Sequence, residues 1–219
     1  MNVTSKFPTV VLLSLISAVA IVFAAEPTAS VSADAALAKL KEGNARYMNS
    51  KVSAGKPTAT RRAETAQGQH PFAAILGCAD SRVSPEIVFD QNIGDIFVDR
   101  NAGNLVDDHT LGTIEYGVEH LGVRLIVVLG HERCGAVQAA VASDTAPGHV
   151  QSLVRDIQPA VQAVKGKPGD QVHLAVVENA RLMAEEIRSK ASLGDLAKDV
   201  KIISAVYDLD SGKVDFGKE

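Results

Sequence analysis

The sequence predicts a single α/β domain whose central sheet is mainly parallel and flanked by helices. Three observations predict it. Short apolar runs at 72–76 and 125–129 read as buried strands, and each runs into a glycine. Stretches with helical period alternate with these runs. The chain of 219 residues can bury one good core and is short for two.

The elements follow in order. A helix begins near Ser32, a good N-cap residue, with Ala36, Leu37, Leu40 and Tyr47 near one face. That face could pack on a partner. Residues 49–70 are polar, with Gly55, Pro57 and Arg61-Arg62, and read as loop plus a short helix. The arginine pair reads as a solvated face. After the strand at 72–76, Val83 to Asp90 is a short helix, with Pro85 tolerated in its first turn. Ile96 to Val98 is a second short strand. Asp108 to Leu121 is a helix on the period of Leu111, Ile114, Val118 and Leu121, with Gly122 as its cap. Helices follow at 136–142 and 150–164. Val172 to Val177 fits either a strand or the start of a helix to Ser189. Ile202 to Leu209, a turn at Asp210-Ser211-Gly212, and Val214 to Phe216 form a hairpin.

The first 25 residues read as an export signal rather than as fold. Lys6 supplies a short positive region, Val10 to Phe23 an apolar stretch, and Ala24 and Ala25 small residues for cleavage. The run is short for a span of about 20 residues. The expectation is a mature domain from residue 26, periplasmic or secreted, with no stable membrane association after cleavage. The formal charge of -4, the 4% aromatic content and the lack of tryptophan argue against nucleic-acid binding.

Two segments carry the chemistry: Cys78-Ala79-Asp80-Ser81-Arg82 and His131-Glu132-Arg133-Cys134. Each follows a strand, and ligand sites in open parallel sheets gather beyond the strands' carboxyl ends. Two cysteines in an exported chain first suggest a disulfide. A disulfide, however, needs neither His131 nor Asp80. Cys78, His131 and Cys134 make a Cys2His set for Zn2+ with one position open, and open sites are catalytic rather than structural. Zinc can bring the pKa of water in such a position to about 7, although two thiolates weaken that effect. If the 78–82 stretch is extended, positions 78, 80 and 82 share one side. Asp80 would then either close the site as a fourth ligand or pair with Arg82 and leave it open.

These motifs resemble those of the β-class carbonic anhydrases. The family's C-x-D-S-R and H-x-x-C-G signatures stand at Cys78 to Arg82 and His131 to Gly135. Its Arg-Asn-x-x-Asn segment stands at Arg100, Asn101 and Asn104, and its glutamine two residues before a proline at Gln69. The likeness spans roughly residues 33–217. It implies reversible hydration of carbon dioxide to bicarbonate and a proton, with Cys78, His131 and Cys134 on zinc and Asp80 and Arg82 as a catalytic dyad. It implies that Gln69 serves substrate across a homodimer interface, in a dimer or dimer of dimers. Phe97 and Tyr116 would line a narrow pocket, with the Gly103 amide near substrate. Some family members bind bicarbonate at a second site built from a tryptophan, an arginine and a tyrosine. Arg100 and Tyr207 match two of these, and Ile75 stands at the tryptophan position.

The resemblance leaves a second substrate class open, carbon disulfide or carbonyl sulfide hydrolysed on the same fold. His70, His109, His120, His149 and His173, the last expected at a strand start, have no ligand-type partner at metal spacing.

Overall fold

The structure is a computed structural model and describes residues 30–53 and 58–217. The expected export segment, its cleavage point, and Gly55 and Pro57 lie outside the described residues.

Helix α1 (Ala33–Met48) starts where Ser32 accepts the Ala35 amide, as its sequence demands. A short helix α2 (Ala59–Thr65) precedes strand β1 (Ala73–Cys78). Then come α3 (Pro85–Val88), β2 (Ile96–Asn101), α4 (Asp108–Glu119) and β3 (Leu125–His131). The helices α5 (Gly135–Ala142), α6 (Val150–Val164) and α7 (Gln171–Lys190) lead through a 3-10 turn at Gly194–Asp199 to β4 (Lys201–Tyr207) and β5 (Val214–Phe216).

Among the described residues, the sheet runs in the order β2-β1-β3-β4-β5. All neighbours are parallel except β4 and β5, which form the expected antiparallel hairpin. Every residue of β1 and β3 is buried, because helices cover both faces. On one face Ala74, Leu76, Ile126 and Val128 pack with α4, α5, α6 and α7. On the other, Ile75, Val127, Leu129 and Ile203 pack with α1 and the α3 region. Burial on two faces is why these strands read as continuous apolar runs rather than alternating ones. Each fully buried Leu or Ile contributes about 1.5–3 kcal/mol of transfer free energy.

Several expectations need correction. The apolar face of α1 is spent inside the chain: Ala36 and Leu40 are fully buried against the sheet. It is therefore not a free surface for a partner. Strand β2 continues past Val98 to Asn101, since it pairs with β1 as far as Cys78 opposite Asn101. Residues 172–177 are helix. Asp170 decides this by accepting the Val172 and His173 amides, and the buried positions Val176, Ala180, Met183 and Ile187 follow the helical period. His173 thus lies on a helix. Arg61 is not merely solvated: it holds Asp95 at 2.8 Å and the Ile93 carbonyl. Among the described residues, no helix is long and apolar enough to cross a membrane.

The strand order reverses direction of growth between β1 and β3. β1 leads outward to β2 on one side, and β3 leads to β4 on the other. Such a switch point opens a crevice at the strands' carboxyl ends. Cys78 is the last residue of β1, and His131 is the last residue of β3.

Candidate active site and metal centre

Cys78, His131 and Cys134 come together at that crevice. Their ligand atoms lie within 4.8 Å of one another, and all three side chains are buried. The thiols are free, with sulfurs 3.9 Å apart. Cys134 arrives by a tight turn after β3, in which Arg133 takes φ 51°, and becomes the N-cap of α5. The turn brings His131 and Cys134 to one point, as the three-residue spacing predicts.

The imidazole is set for a cation. His131 Nδ1 lies 2.9 Å from the Glu132 carbonyl, which can only accept, so Nδ1 carries the proton. Nε2 therefore presents a lone pair, and it is buried without a hydrogen-bond partner. A buried acceptor left in that state costs about 1–3 kcal/mol, a cost that metal coordination removes. The second imidazole nitrogen on a backbone carbonyl is the usual orientation for a ligating histidine.

The thiols tell the same story. By accepting the Cys134 S–H bond, and with the Gly103 amide also donating, the Cys78 thiol is drawn below its ordinary value. Giving that bond, together with burial, pushes Cys134 up. The pair readily loses one proton and resists losing the second. A divalent cation stabilises both thiolates at once.

Asp80 and Arg82 form a closed unit beside this set. Arg82 Nε donates to Asp80 Oδ1 at 2.9 Å and a terminal nitrogen to Oδ2 at 2.7 Å. The Arg82 main-chain amide also donates to Oδ1 at 2.9 Å. The stretch is not extended. β1 stops at Cys78, and the dyad is made by a side-chain-to-backbone turn two residues apart. The Arg82 guanidinium holds the Asp80 carboxyl well below the usual carboxylate range. Oδ2 stands 3.8 Å from His131 Nε2, so the carboxylate faces the metal position but is turned toward arginine.

A second layer fixes these groups. Arg100 reaches back from β2 to the carbonyls of Cys78 (2.8 Å) and Asp80 (2.7 Å). Gly103, at φ +84°, points its amide at Cys78 Sγ, 3.4 Å away. That amide, expected beside substrate, donates instead to the Cys78 sulfur. Buried Asn179 on α7 donates to the Gly103 carbonyl at 2.9 Å. The spacing of the motifs did not reveal Asn179; its signal was a polar side chain on the otherwise apolar stripe of α7.

The sequence pattern of the family described as carbonic anhydrase spans residues 73–214, from the start of β1 to the start of β5. Carbonic anhydrase 2 of Mycobacterium tuberculosis is 42% identical over 193 residues, covering 82% of this chain and 90% of that protein. The chain belongs to the carbonic anhydrase family. Among solved structures, the Coccomyxa β-carbonic anhydrase, crystallised with acetazolamide, matches at a TM-score of 0.64 and 28% identity. That match covers 82% of this chain and 85% of the other. A tetrameric β-carbonic anhydrase of Sordaria macrospora has the same fold at a TM-score of 0.62 and 23% identity, covering 71% and 84%. The chain is a β-class carbonic anhydrase in fold and in family, and its enzyme class is that of the family.

Within the single chain, the residues expected in the pocket are not gathered at the cysteines: Phe97 pairs with Ala74, four residues before Cys78. Phe97 on the edge strand β2 packs against Tyr116 on α4, with ring centroids 6.3 Å apart. Tyr116 is half exposed and also meets His120. Gln69 is exposed and makes no side-chain hydrogen bond among the described residues. His173 pairs with Glu132 at 2.7 Å and is not among the clustered ligand atoms.

Proposed function

We propose that the chain catalyses the zinc-dependent reversible hydration of carbon dioxide to bicarbonate and a proton. The orphaned Nε2 of His131, set among two buried free thiols at the switch point, carries the reading. Cys78, His131 and Cys134 hold the ion. When bound, zinc supplies the Lewis acidity that makes water a nucleophile near neutral pH.

The remaining work belongs to side chains. Arg82 keeps Asp80 ionised and turned away from the metal position, so the fourth position stays open. In this arrangement Asp80 offers an acceptor oxygen beside that position and orients a proton there. Without arginine, the same carboxylate is near enough to become the fourth ligand and close the site. Phe97 and Tyr116, whose rings pack together, are the apolar lining that the family resemblance assigns to the substrate pocket. Gln69 donates to substrate across a homodimer interface, in a dimer or dimer of dimers. Its free side chain in the single chain supports this, as does the tetrameric state of the Sordaria relative. Export to the periplasm or outside the cell fits Lys6 followed by the apolar stretch from Val10 to Phe23 and the small residues Ala24 and Ala25.

Stopped-flow hydration of carbon dioxide, run beside hydrolysis of carbon disulfide and carbonyl sulfide, tests the substrate. Rapid hydration with no sulfide release is expected. Sulfide release without hydration would replace this reading.

A further inference from the structure

We propose that Asn179 is a positioning residue for the Cys78 thiolate, acting through Gly103. Its Nδ2 donates to the Gly103 carbonyl at 2.9 Å, and the Gly103 amide donates to Cys78 Sγ at 3.4 Å. The glycine stands in the left-handed region at φ +84°, which glycine enters as readily as negative φ, so its own preference does not fix the conformation and an external hold does. Two anchors supply it. The Asn104 amide closes a turn on the Asn101 carbonyl, and Asn179 fixes the Gly103 carbonyl from α7.

The choice of residue at 179 fits this one task. Asn179 is 1% exposed on a helix face otherwise lined by Val176, Ala180 and Met183. Burying an amide there is unfavourable unless it is hydrogen-bonded. Its Oδ1 has no partner, so Nδ2 alone accounts for the polar group. The Gly103 carbonyl also dictates which end of the amide faces it, since two oxygens would repel. Helix α7 thereby sets the aim of a backbone donor onto a ligand sulfur. An N–H bond to a thiolate withdraws electron density from sulfur and leaves less to give to a metal.

The inference rests on Cys78 being a metal ligand, and the test separates the two ideas. Cobalt(II) is substituted into the full chain, and the sulfur-to-cobalt charge-transfer band is recorded. In Asn179→Leu, an apolar substitution of similar shape, the freed sulfur is more electron-rich, and the band is expected at lower energy than in wild type. Ala184→Gly, a destabilising change on the same helix that leaves Gly103 alone, should leave the band where it is. Should Asn179→Leu not fold, Asn179→Ser, whose hydroxyl is too short to reach the carbonyl, is read by the same criterion. An unmoved band in the Asn179 variant, or an equal shift in Ala184→Gly, overturns the proposal. A wild-type cobalt protein with no thiolate band overturns the metal reading, and this inference with it.

Discussion

Asp80 and Arg82, two residues apart, are joined three ways: two guanidinium nitrogens reach two carboxylate oxygens, and the arginine amide reaches one of them again. This union decides the state of the site. While it stands, the carboxylate is committed to arginine and not to the metal.

Arg82→Ala should keep zinc and lose about 100-fold or more in hydration rate, within the range for removing a proton-handling group. Released Asp80, whose Oδ2 stands 3.8 Å from His131 Nε2, would then be free to take a place among the residues that would hold the ion. Metal content and turnover, measured on the same sample, check this. Turnover near wild type would dismiss the dyad.

The pH behaviour of Asp80 follows from the same pairing. Its folded pKa is depressed, chiefly by the hydrogen bond from Arg82. A depressed carboxylate contributes stability that is present above its unfolded value, about 3.9, and is lost as pH falls through the lower folded value. Asp80 should therefore show no carboxyl titration between about pH 4 and 8 by carbon-13 NMR. In Arg82→Ala stripped of zinc, where neither arginine nor metal holds the carboxylate, its midpoint should move up. A wild-type midpoint inside that window would contradict the pairing.

Much of this site was legible in the sequence because its chemistry is local. Cys78 and Asp80 to Arg82 share the end of β1 and its loop, and His131 and Cys134 the end of β3 and its turn, so spacing gathers each group and the β1–β3 pairing joins them. The sheet class was legible because buried parallel strands leave continuous apolar runs. What spacing could not give was long-range. Asn179 is 76 residues from Gly103, and only the packing of α7 on β3 and β4 brings them together. The 172–177 segment was ambiguous because a helix buried on one side and a short strand share an apolar run, and the Asp170 cap settled it. The turn at Asp80 is not legible from spacing, since residues two apart meet either on one side of an extended segment or through a side-chain-to-backbone turn, and here the turn forms. The polar end of β2 escaped because edge strands tolerate Asp99 and Arg100 where central ones do not.

Bicarbonate should inhibit weakly through any second site near Ile75. That side chain is fully buried and offers no donor. Arg100 is spent on the carbonyls of Cys78 and Asp80, and the Tyr207 hydroxyl lies 3.1 Å from that of Tyr47. Lacking one charge-assisted bond costs an anion about 1.5–3 kcal/mol, tenfold or more in affinity. Activity against bicarbonate concentration is the check, and cooperative inhibition would count against this account.

Assembly makes a further demand. Gln69 is exposed, and the proposed function has it serve substrate across a subunit interface. Light scattering at assay concentration should give a dimer or dimer of dimers. Gln69→Ala should keep both assembly and zinc while losing roughly 5- to 10-fold in kcat/KM, the worth of about one hydrogen bond. A fully active monomer would refute the shared site.

The most direct test of the central claim is metal content per chain, measured in wild type and in Cys134→Ser with hydration followed in both. Cys134 is 1% exposed, its sulfur is 3.9 Å from that of Cys78, and it closes the set with His131. The account predicts one zinc per chain in wild type, with zinc and carbon dioxide hydration lost together in the variant. A metal-free wild type, or a variant that keeps its full zinc and turnover, would contradict it.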